Sequence, residues 1–81
     1  MKTMKYFSAK WCGPCRAFRP IMQEVDSEWH SVQFIDIDDQ SAIAEEYKVR
    51  AVPTIVVEEN GIVIDRIIGA LTKQQILERL M

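Results

Sequence analysis

The chain has 81 residues, 48% hydrophobic and 27% charged, with three glycines, three prolines and two cysteines. This composition suits one small globular domain over residues 1–81, able to fold without a metal; it leaves no room for a second domain and excludes a disordered or fibrous protein. A formal net charge of −2 with scattered acidic residues argues against nucleic acid or an anionic membrane surface as partner, and no stretch approaches the roughly 20 apolar residues of a membrane span.

In chain order, TMKYFS (3–8) predicts a strand that runs straight into a pair of cysteines. From Cys12 onward Phe18, Ile21, Met22, Val25 and Trp29 recur at three- and four-residue intervals, one face of a helix. Pro14 falls in its first turn, where a missing N–H is harmless, and Pro20 is expected to kink it. SVQFIDID (31–38) predicts a second strand, and Ser41 to Lys48 a short helix burying Ile43, Ala44 and Tyr47. PTIVVEENGIVIDRIIG (53–69) predicts two strands around the Asn60-Gly61 hairpin signal. Thr72 with Gln75 forms a capping box before a last helix whose buried side is Ile76, Leu77, Leu80 and Met81. The expected fold is therefore α/β, in the order βαβαββα, with a four-stranded mixed sheet and helices on both faces. Right-handed crossovers make the first two strands parallel, and the hairpin adds two antiparallel ones. The cysteines then lie where the first strand ends and a helix begins, a usual place for chemistry in such folds.

The N-terminal MKTMKYFSAKWC lacks the apolar run of a signal peptide, so a reducing, cytoplasmic compartment is expected. A permanent structural disulfide is unfavourable there, and the motif AKWCGPCRAFRP (9–20) calls for a chemical explanation. Structural zinc needs four ligands, yet only His30 stands beside the two cysteines; haem attachment needs a histidine where Arg16 stands. An inert buried pair sits poorly with Cys12 at a loop end, where partial exposure is expected. Thiol–disulfide exchange fits best, because it needs one thiolate to attack and a second thiol to release the mixed disulfide. Residues three apart share a helix face, so Cys15 can reach Cys12, while the first-turn amides and helix dipole favour the Cys12 thiolate. Lys10 and Arg16 add positive charge. Cys12 is thus read as nucleophile and Cys15, deeper under Trp11 and the sheet, as resolving thiol. Gly13 lets another backbone approach, and Pro14 fixes the turn.

WCGPC, the following RAFRPIMQEV, VPT at 52–54, the NG hairpin and GAL at 69–71 together resemble the thioredoxin family, in order and spacing, across essentially the whole chain. The resemblance implies a minimal thioredoxin fold and a cis Val52-Pro53 peptide facing the cysteines. It also implies that the backbone at Ala51 and Val52 pairs with an extended substrate, and that Trp11, Gly69 and Ala70 complete an apolar docking surface. Without the family, Pro53 reads as a strand-start proline and Gly69 as a turn glycine. Two departures stand out. Full-length thioredoxins carry a further strand and helix ahead of the strand leading to the cysteines, so the strand at 32–37 is expected to be a sheet edge guarded by Asp36, Asp38 and Asp39. The family's buried aspartate and nearby lysine are replaced by Tyr6 and Phe34; a phenol is protonated near pH 7, leaving its hydroxyl to bond a sulfur or a buried water.

The function these observations point to is reduction of disulfides in other proteins by a monomer with no bound cofactor, re-reduced by a thioredoxin reductase or equivalent donor. A glutathione-linked, glutaredoxin-like reductase is the enzymatic alternative, although Gly-Pro between the cysteines favours thioredoxin. A thioredoxin-fold binding subunit with incidental cysteines is the alternative of another class.

Overall fold

The computed structural model describes residues 2–28 and 30–81, so Trp29, expected on the first helix's apolar face, lies outside the described residues. The segments rich in β-branched and aromatic residues form strands: Lys2–Ser8 (β1), Ser31–Asp36 (β2), Thr54–Glu59 (β3) and Ile62–Ile68 (β4). Helices span Gly13–Glu28 (α1), Ser41–Glu46 (α2) and Lys73–Arg79 (α3), which reproduces the expected βαβαββα order. The sheet runs β2-β1-β3-β4. β1 pairs parallel with β2 and antiparallel with β3, placing Tyr6 between Phe34 and Ile55. β3 and β4 are antiparallel, with Ile64 as an extra residue between the Val57–Asp65 and Glu58–Val63 pairs.

Strand alternation divides the core between two faces. Met4, Tyr6, Ile55, Val57 and Ile67 pack with Phe18, Met22 and Val25 of α1 and Ile76 of α3. Phe7, Ile35 and Val56 pack on the opposite face with Ala44 of α2 and the half-buried Ile43 and Tyr47. Each fully buried large side chain contributes on the order of 1.5–3 kcal/mol, so neither layer is dispensable in so small a chain.

Local chemistry sets the ends of the elements. Asn60 and Gly61 both take positive φ, 54° and 82°, as a two-residue hairpin of this hand requires. The capping box is present: the Gln75 N–H donates to Thr72 Oγ1 at 3.1 Å, and the Thr72 N–H donates to Gln75 Oε1 at 2.9 Å. α1 continues through Pro20 to Glu28. Three expectations need correction. β2 stops at Asp36 rather than Asp38, because the Asp36 carboxylate accepts the Asp38 and Asp39 N–H groups at 2.8 and 3.1 Å and turns the chain. α2 ends at Glu46: Lys48 adopts φ 56°, and the Lys48 and Val49 N–H groups return to the Glu45 and Ala44 carbonyls, a Schellman closure with lysine where glycine is usual. Met81 is 94% exposed, since α3 ends at Arg79 and Leu80 is the last residue to reach the core.

Candidate active site

β1 ends at Ser8, and the chain turns at once into α1, with the Cys12 N–H donating to the Ala9 carbonyl at 3.1 Å. This turn sets Cys12 immediately before the helix and Cys15 in its first turn. The two cysteines are joined as a disulfide, with Cα atoms 5.2 Å apart. The Cys15 N–H points at Cys12 Sγ from 3.3 Å, and the Arg16 N–H donates to the Cys12 carbonyl at 3.2 Å. An amide so directed, at a positive helix end, favours negative charge on the Cys12 sulfur once the disulfide opens.

The pair is more enclosed than the sequence suggests. Cys12 is only 6% exposed and Cys15 2%, because Ala9 and the half-buried Ile37 and Val52 close around them. Trp11 does not supply that cover. It is 66% exposed, with its indole N–H donating to Asp38 Oδ2 at 2.9 Å.

The Val52-Pro53 peptide is cis, and Cys12 Sγ lies 3.8 Å from the Val52 carbonyl oxygen, so the segment the resemblance assigns to docking stands beside the first cysteine. Two bonds hold it there: the Thr54 hydroxyl donates to the Ala51 carbonyl at 2.6 Å, and the Gly69 N–H donates to the Pro53 carbonyl at 2.9 Å. Gly69 does so at φ 95°, a conformation that favours glycine. Ala51 is exposed, Val52 and Gly69 are half-buried, Pro53 is buried, and exposed Ala70 follows Gly69 in the chain. Gly13 and Pro14, both exposed, open α1.

Beneath the cysteines, Tyr6 is fully buried and its hydroxyl donates to the Cys15 carbonyl at 2.7 Å, not to a sulfur. Burial holds the phenol above its usual pKa of 10.0, with the Arg19 charge pulling weakly the other way. Half-buried Phe34 meets the Tyr6 ring edge-on at 5.7 Å, and the Arg19 guanidinium lies over Phe34 at 4.8 Å. A cleft of about 410 Å³ opens beside Cys15 between Arg16 and Arg19 of α1 and Phe34 and Asp36 of β2.

Sequence reasoning missed Thr54 and the work of the three aspartates. Asp36 is taken up by the turn, Asp38 by Trp11, and Asp39 pairs with Lys10 at 3.4 Å, so each has a local partner beyond any edge protection. The bonds from backbone N–H groups also hold the Asp36 carboxyl below its usual range. An Asx-turn pattern in DIDD is the signal that exposes the first of these; the others join residues distant in sequence. Among the described residues no three His, Cys, Asp or Glu side chains gather as metal ligands, and no helix is long and apolar enough to cross a membrane.

Comparison with known proteins agrees with this geometry. The thioredoxin family model matches residues 2–81. Thioredoxin H5 of Arabidopsis thaliana is 44% identical over 77 residues, covering 93% of this chain and 64% of that protein. Thioredoxin of Chlamydia caviae is 36% identical over 73 residues, covering 88% of this chain and 72% of that one. The solved structure of a mutant thioredoxin from Halobacterium salinarum superposes with a TM-score of 0.91 at 29% identity, over 96% of this chain and 70% of that one. The chain thus spans under two thirds of the plant protein's length.

Proposed function

Because the chain belongs to the thioredoxin family, we propose that it reduces disulfides in other proteins by dithiol–disulfide exchange, with Cys12 as nucleophile and Cys15 as resolving thiol. The observation that carries this reading is the Cys12–Cys15 pair at the start of α1, with the Cys15 N–H aimed at Cys12 Sγ and Val52 alongside.

In the first step the Cys12 thiolate attacks a substrate sulfur; a Cys12–substrate disulfide forms, the substrate's own S–S bond breaks, and one substrate sulfur leaves as thiolate. In the second, the Cys15 thiol loses its proton to water and its sulfur attacks Cys12 Sγ. The Cys12–Cys15 bond forms, the second substrate sulfur leaves with the electron pair, and protons from solvent complete the substrate dithiol. Two electrons pass from protein to substrate, and a reductase or equivalent donor returns them. Trp11, Ala51, Val52, Pro53, Gly69 and Ala70 form the docking surface. The protein works as a monomer in the cytoplasm and needs no bound cofactor. Gly13-Pro14 and the thioredoxin relatives support this reading over the glutathione-linked one.

A trap tests the assignment. Cys15→Ser should accumulate mixed disulfides through Cys12 with partner proteins, identifiable by mass spectrometry after non-reducing electrophoresis. The same partners captured by Cys12→Ser instead would reverse the roles, and capture by neither would remove the exchange function.

A further inference from the structure

Tyr6 reaches the redox pair through its backbone. Its hydroxyl crosses from β1 to the first turn of α1 and donates to the Cys15 carbonyl at 2.7 Å. The ring is clamped edge-on by Phe18 of α1 at 5.8 Å and by Phe34 of β2 at 5.7 Å. A phenol held on both sides has little rotamer freedom left to lose, so the bond is already ordered by packing.

We propose that Tyr6 is a positioning residue for the resolving step: it ties the Cys15 peptide to the sheet, keeping the Cys15 sulfur within reach of Cys12 while no covalent bond joins the two. The proposal rests on the exchange function above. The disulfide itself clamps the first turn of α1 when it is closed. That clamp is open in the mixed disulfide, at the one stage when Cys15 must find Cys12. The first turn of a helix lacks the internal N–H bonds of later turns and frays most readily. The Tyr6 bond comes from outside the helix and survives that opening. As the Cys15–Cys12 bond forms and the Cys12–partner bond breaks, the rate depends on the effective concentration of the Cys15 sulfur at Cys12, and so on how firmly Cys15 is held.

Oxidation of the reduced protein by excess glutathione disulfide separates the two steps. Attack by Cys12 is second-order in the probe and releases glutathione thiolate; ring closure by Cys15 is first-order and releases the second glutathione. Tyr6→Phe should slow closure about fivefold, within the net worth of one hydrogen bond, and leave attack within about twofold of wild type. Phe18→Leu serves as the comparison, loosening the same cluster while keeping the hydroxyl; it should lower the unfolding midpoint yet slow closure clearly less than Tyr6→Phe does. Closure unchanged in Tyr6→Phe, or slowed equally in Phe18→Leu, or attack slowed as much as closure, would overturn the positioning role. If wild-type protein lacked the attack phase altogether, the exchange function itself would fall, a result distinct from the other three.

Discussion

Lys5 and Tyr6 are consecutive on β1, and strand alternation sends them to opposite faces of the sheet. On the α2 face Lys5 forms an ion pair with Glu58, whose other oxygen accepts the Tyr47 hydroxyl at 2.8 Å, and the Lys5 ammonium lies over the Tyr47 ring at 5.2 Å. On the cysteine face Tyr6 sits among Phe18, Phe34 and Met22 and makes its polar contact with a backbone carbonyl. One face therefore holds a charged cluster with its partners in place, and the other a neutral phenol beneath the disulfide. The comparison separates two jobs of buried polar groups. The ion pair is arranged to remain ionised and bears on stability, whereas the phenol stays protonated through neutral pH and bears on geometry.

The largest effect should come from putting a charge on the neutral face. Tyr6→Asp removes a large buried ring and leaves a carboxyl without a designed partner, at a cost of about 4 kcal/mol. Because an unpaired buried carboxyl has a raised pKa in the folded state, its penalty should grow as pH rises above the unfolded value near 4 and shrink in acid. Urea unfolding at pH 4 and pH 7 reads this directly, and a loss independent of pH would break the contrast between the faces.

Removing the charge from the other face should give a smaller loss, whose pH dependence lies below about pH 4.5 rather than above pH 4. Glu58→Ala leaves Lys5 and Tyr47 without their shared acceptor, costing about 2–3 kcal/mol. The unfolding midpoint should drop by roughly 10–20 °C. Burial alone would raise the Glu58 pKa, but hydrogen bonds from Lys5 and Tyr47 and the Lys5 charge bring it below its usual 4.5. A carboxyl depressed in the folded state stabilises above its unfolded pKa, and that contribution is lost as pH falls through the folded pKa. Lys5 is raised above 10.5, against the effect of burial, by its bonds to Glu58 and Tyr47, so its share persists below that value and fades as pH rises through the folded pKa. The wild-type protein should lose stability on acidification below about pH 4.5, and Glu58→Ala should flatten that limb. Thermal unfolding from pH 3 to 7 measures both.

The smallest effect is expected where an ion pair faces water. Arg79 makes two bonds to Asp65, at 2.7 and 2.8 Å, with both side chains partly exposed. Arg79→Ala should move the unfolding midpoint by no more than about 3 °C, and about 1 M salt should remove most of the difference. A shift as large as that of Glu58→Ala would show that burial is not what distinguishes the two pairs.

Much of this was legible in the sequence wherever cause and effect lie close along the chain. Asn60-Gly61 sets its own backbone, Thr72 and Gln75 bond each other, and Cys12 and Cys15 share one helical turn. The thioredoxin resemblance added the cis Val52-Pro53 bond, which spacing alone could not single out from a strand-start proline. Part of what escaped depends on residues that only the folded sheet brings together. Glu58 alternates correctly onto the α2 face, but nothing local names Lys5 and Tyr47 as its partners. Tyr6 is marked as a departure from the family, while the Cys15 carbonyl as its acceptor follows from the closeness of β1 to α1. Met81 continues an apolar helical spacing past the point where the helix ends.

The place of β1 at the centre of the sheet also bears on the order in which the protein comes into being. β1 is made before its antiparallel neighbour β3, which follows only after α1, β2 and α2, with Lys2 meeting Glu59 and Tyr6 meeting Ile55. During synthesis from the N-terminus, the cysteine segment leaves the ribosome well before Ile37 and Val52, which close around it in the finished fold. Closing so long a loop is the slow kind of contact, so the nascent chain carries two accessible thiols on an unfinished scaffold. The enclosed pair of the finished protein is thus a late product of assembly.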